Sequence, residues 1–132
     1  MNTPILIANI LTLLAFFVHT FMGDRELKLI QPNPGEDENY VKQEKWTMVR
    51  CGWHWISFDL LFATVGLSLI NFTDYFENEE LLLQIVALYF LGYGVVWLIA
   101  IAISKHFPKS YLKLGQWILL WTISGLVYWG IN

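Results

Sequence analysis

Hydrophobic residues in this chain gather in four long runs, at residues 4–22, 51–72, 81–104 and 111–131. Polar stretches separate them at 23–50, 73–80 and 105–110. A helix needs about 20 mostly apolar residues to cross the hydrocarbon core of a bilayer, and each run has that length. The pattern predicts an all-α integral membrane protein: a single domain over 1–132, built as an up-and-down bundle of four transmembrane helices.

The ends of the runs carry helix punctuation. Thr3-Pro4 places an N-cap residue and a first-turn proline before the first run. Asn78 followed by Glu79 and Glu80 starts the third, with acids at the positive end of the helix dipole. His106-Phe-Pro108 separates the third run from the fourth. The first run has no basic residue before it and no small-x-small site after it, so it reads as a retained helix rather than a cleaved signal peptide.

Composition agrees. The chain is 56% hydrophobic, 17% aromatic and only 14% charged, against about a quarter charged in a soluble domain. No basic patch suits nucleic acid. The single cysteine, Cys51, rules out an intrachain disulfide and a Cys-x-x-Cys site.

Charge sets the orientation. Arg25, Lys28, Lys42, Lys45 and Arg50 lie in the loop 23–50, and Lys105, Lys109 and Lys113 flank the turn between runs three and four. The N-terminus, the loop 73–80 and the C-terminal end have no basic residue. The positive-inside rule then puts 23–50 in the cytoplasm and both termini outside it. Within that loop, PNPGEDEN is a turn-rich tip. The following NYVKQEKWTMV suits either an amphipathic helix on the membrane face or a plain tether.

Against this apolar background the ionisable groups stand out. Taking Asp24 and Arg50 as the boundary, His19 lies about 7 Å deep and His54 about 6 Å deep, on helices that run antiparallel. His106 ends the third run on the same side, and Gln116 lies about one turn into the fourth. Ala8, Thr12, Ala15, His19 and Gly23 share one stripe of the first helix, the small-residue pattern of close helix contact. On the second helix Gly52, Trp55, Asp59, Ala63 and Gly66 make a similar stripe, with Asp59 about 13 Å deep. His54 is about 140° round the helix from Asp59, so the two reach different neighbours.

Each residue has a plain reading beside the functional one. His19 and His54 serve as ligands or as separate interhelical hydrogen bonds. Asp59, an acid inside the bilayer, is functional or a structural hydrogen bond. Gln116 is interhelical glue, Asp24 and Arg50 pair at the boundary, and Tyr89, Tyr93, Trp97, Trp117 and Trp121 are mostly packing. The segments HTFMGD and RCGWH resemble a pattern in small bacterial four-span membrane proteins of unknown function. In that pattern a His followed by Gly and an acid ends the first span, and Arg-x-x-Trp-His opens the second. The matching positions are His19, Gly23, Asp24, Arg50, Trp53 and His54. The resemblance implies a bacterial plasma membrane but no activity.

Three functions follow. Two imidazoles at one depth suit haem b or a transition metal, with Asp24 or Gln116 completing the shell, or another small ligand. Alternatively His19, His54 and Asp59 form a proton-relay or transport path in a homo-oligomer or larger complex. The third reading is an accessory or scaffold subunit. An enzyme acting on lipid or quinone is a weaker fourth, since no nucleophile–base arrangement stands out.

Overall fold

A computed structural model describes residues 1–33, 35, 40–104 and 109–131. Among them the chain is helical and has no strand. Helix α1, Thr3–Phe17, runs into a π-helical turn at Val18–Gly23 and on into α2, Asp24–Lys28. Helix α3 spans Val41–Phe72, α4 Glu79–Ile103, α5 Ser110–Lys113 and α6 Gln116–Trp129. Three continuous helices are long and apolar enough to cross a membrane: Thr3–Lys28, Val41–Phe72 and Glu79–Ile103.

Two expectations are refined. Residues 41–50 are helical, but as the first three turns of α3 rather than a separate surface helix. At 32 residues α3 is about 48 Å long, well beyond a hydrocarbon core of about 30 Å. The fourth run is not one helix. Leu114 and Gly115 leave helical geometry between α5 and α6, and the 14 residues of α6 reach about 21 Å. The expected breaker His106–Pro108 lies outside the described residues, as do 36–39 in the loop tip.

The described residues fall into two compact units: Met1–Leu11 with Val65–Asn132, and Thr12–Thr64. In the first, α4 packs on α6. Leu83, Ala87, Phe90 and Gly94 of α4 and Ile123, Ser124 and Val127 of α6 are buried at i, i+3, i+4 spacing. Gly94 brings the backbone of α4 against Trp121, since a Cβ there would overlap the indole. The Ser124 hydroxyl donates to Ala87 O at 2.7 Å. Asn78 caps α4 as expected, its side chain accepting from Leu81 N at 3.2 Å. The many exposed apolar side chains, such as Leu88, Val96 and Ile99 on α4, suit a lipid solvent.

Candidate functional site

The second unit holds the ionisable cluster. Its geometry starts from the π-helical turn Val18–Gly23. An extra residue in a helical turn disturbs the regular ladder of i to i−4 hydrogen bonds, and such turns recur at functional sites. Here the Trp53 indole Nε1 donates to His19 O at 2.8 Å. Gly23 makes room for it, because a Cβ at that position would overlap the Trp53 ring. The His19 imidazole lies flat on Trp53, ring centres 4.1 Å apart and 8° from parallel. Its Nδ1 is 3.1 Å from the hydroxyl of buried Ser57.

One turn along, Asp24 gathers the charges. Arg50 grips it at two points, Nε to Oδ1 at 2.6 Å and Nη2 to Oδ2 at 3.0 Å. His54 Nε2 lies 3.2 Å from Asp24 Oδ1, and Lys28 Nζ is 3.3 Å from Oδ2. The Asp24 side chain is 14% exposed and that of His54 41%. The carboxylate is therefore largely enclosed while its imidazole partner meets solvent. Arg50 also sits over the Trp46 ring at 5.5 Å, and Trp46 Nε1 donates to Leu27 O at 3.0 Å.

The structure thus brings His19, Asp24, Arg50 and His54 into one unit, but the two histidines have different partners. His19 is engaged by Ser57 and Trp53, and His54 by Asp24. The expected pairing of Asp24 with Arg50 is present and bidentate. Asp59 is half-buried on α3, and Gln116 is exposed at the start of α6. His106 lies outside the described residues. Ala8 and Thr12 of the first small-residue stripe are fully buried.

The second stripe differs from expectation. Trp55 is 74% exposed, and a Cβ on Gly52 or Gly66 would meet open space. The buried face of α3 is Ser57, Leu60, Thr64, Leu67 and Asn71, with Ala63 at its edge. Sequence reasoning missed Ser57 and Trp53 as partners of His19. Trp53 lies in the segment RCGWH, but a linear pattern carries no mark of an indole reaching the backbone of another helix.

The donor set does not fit a metal well. Among the described residues no group of three His, Cys, Asp or Glu is placed to hold a metal ion, and both Asp24 oxygens are already bonded to Arg50. Haem binding gains no support either, with His19 flat on Trp53 and His54 on Asp24. No protein-family model, curated protein or solved structure matches the chain.

Proposed function

We propose that this chain is a four-span protein of the bacterial plasma membrane that relays protons at its cytoplasmic face, acting as an oligomer. The observation that carries the reading is the His54–Asp24 contact beside Arg50. A histidine is the side chain whose charge changes most readily near neutral pH. Its carboxylate partner is held in orientation by the two-point arginine grip, and its own partial exposure lets it exchange protons with water. Asp59, five residues further along α3 and about 7.5 Å deeper, is about 140° round the helix from His54, so it belongs to the path only through a neighbouring helix or subunit. His19 with the Ser57 hydroxyl, which both donates and accepts, forms a parallel station.

The orientation rests on the basic residues of 23–50. The fourth crossing has support of its own. Asn2 Nδ2 donates to Gly130 O at 2.7 Å, so the start of α1 and the end of α6 lie side by side. Three crossings would leave the chain on the opposite face; α6 with its adjoining turns supplies the fourth. The resemblance of HTFMGD and RCGWH to bacterial four-span proteins agrees with this placement.

Proteoliposomes with an entrapped pH dye and an imposed proton gradient test the function. The wild type is expected to conduct protons above empty vesicles, and His54→Ala to lose at least tenfold of that flux. Circular dichroism should show the variant still helical, because the Asp24–Arg50 pair is intact. Flux equal to empty vesicles, or full flux in His54→Ala, overturns the proposal.

A further inference from the structure

Two basic side chains meet on one carboxylate at the edge of the apolar runs. Arg50 Nη2 lies 3.0 Å and Lys28 Nζ 3.3 Å from Asp24 Oδ2, so the two cations are close neighbours. One carboxylate does not neutralise both, and His54 adds a further donor at Oδ1, 3.2 Å away. Exposure separates the signs. The Asp24 side chain is 14% exposed, against 56% for Lys28 and 37% for Arg50. The negative charge is enclosed, and the surface presents the positive ones.

The ordinary reading covers part of this. Asp24 and Arg50 are a boundary ion pair, and Asp24 with Lys28 is an i, i+4 helix pair. Neither removes the surplus charge. Over Asp24–Lys28 and residues 41–50, five basic residues stand against three acids. One of those acids, Glu44, already engages Lys45 at 3.5 Å. The grip on Asp24 uses Nε and Nη2 of Arg50, which leaves both Nη1 N–H groups outside it. The Trp46 ring, 5.5 Å from the guanidinium carbon and tied to Leu27 O, holds that side chain at the edge of the helix pair.

Position defines the ligand's chemistry. Asp24 and Arg50 lie where the apolar runs 4–22 and 51–72 end, the level of lipid headgroups. Phosphate is the common anion at that level. The planar fork of arginine matches phosphate oxygens, and lysine binds them as a point charge. We propose that Arg50 and Lys28 together bind a phosphate group, Arg50 through Nη1 and Lys28 through its ammonium. The source is the headgroup of an anionic phospholipid or free phosphate. A phosphocholine headgroup suits the site less, because its quaternary ammonium meets the same cations. The site stands apart from the relay, since it uses neither proton exchange at His54 nor Asp59.

The full chain in phosphatidylcholine nanodiscs provides the test, read on the Arg50 Nε–H resonance by ¹⁵N–¹H NMR. One arm titrates inorganic phosphate; the other replaces part of the lipid with phosphatidylglycerol. A saturable shift of that resonance is expected in at least one arm. A response to the lipid only assigns a headgroup site, and a response to phosphate, alone or with the lipid, assigns a small-anion site. Lys28→Gln, at an exposed position, should raise the apparent Kd about fivefold, the usual worth of one basic residue near an anionic surface, with helicity unchanged. Lys45→Gln removes the same charge from the lysine beside Glu44 and should change the Kd less than about twofold, because it lies outside the pair on Asp24. No saturable shift in either arm, unaltered affinity in Lys28→Gln, or equal weakening in Lys45→Gln overturns the proposal.

Discussion

Gly23 shows how one missing methyl group organises the histidine cluster. The indole of Trp53 occupies the space a Cβ would need, and from there it bonds His19 O and supports the imidazole. Gly23→Ala must push that ring aside. We expect a loss of about 1–3 kcal/mol, the usual cost of overpacking, seen as a lower Tm in detergent. Gly66→Ala is the control: its Cβ meets open space, and Tm should hold or rise slightly through helix propensity. Equal effects of the two would show that the Trp53 approach is not what Gly23 provides. Arg50→Lys keeps the charge near Asp24 but loses the planar two-point grip. It should lower Tm even though net charge is unchanged.

Indole N–H groups of this chain share a device, and three of them use it where a helix is irregular or ends. Five tryptophans donate their indole N–H to a backbone carbonyl. Trp53 serves His19 in the π-helical turn, Trp46 serves Leu27 near the end of α2, and Trp97 serves Leu114 between α5 and α6. Trp117 and Trp121 serve Tyr111 and Leu91. A carbonyl released from the helical ladder, as at Leu114 between α5 and α6, cannot be left bare in an apolar medium, and a large side chain with one donor and no charge is suited to reach it; at Leu27, which already takes Ile30 N, and at Leu91 inside α4 the indole adds a second bond. Trp97→Phe keeps most of the ring volume and removes the donor. It should cost about 0.5–1.5 kcal/mol, measured by unfolding in detergent, with protection of the Leu114 region in hydrogen exchange reduced. In α4 and α6, Ser124→Ala should cost about 0.6 kcal/mol, typical of an interhelical hydrogen bond in a membrane protein. Gly94→Leu should be far more damaging, because it displaces Trp121.

At the scale of the whole molecule, the prediction concerns sidedness. With Cys51, which is exposed, first changed to Ala, a cysteine at Gln31 should resist an impermeant thiol reagent in intact cells. One at Glu77 should react. A third, at Ile131, should label like Glu77, because the proposed four crossings would return the C-terminal end to the side of the N-terminus. Protection at Ile131 with reaction at Glu77 would mean three crossings and would contradict the position of Asn2 beside Gly130.

The helical class, the three long apolar helices, the Asn78 cap and the Asp24–Arg50 pair were all legible in the linear pattern. Each depends on residues near in sequence or on a demand that composition makes plain: twenty apolar residues need an apolar solvent, and an acid and a base at matching depths attract. The burial of Ala8 and Thr12 was legible for the same reason, as small residues at helical spacing. Beyond the Asp24–Arg50 pair, what neighbours what across helices was not. The π-helical turn shifts the phase of the first helix after Phe17, and regular spacing contains no mark of it. That phase sets His19 against Ser57 and Trp53. On α3 the small-residue stripe through Gly66 suggested one packing face, but the chain turned Ser57, Leu60 and Leu67 inward instead. Size alone did not distinguish a glycine that admits a neighbour from one that faces open space. Only the tertiary structure, which sets helix phase and rotation through the sum of many packed contacts, decided that.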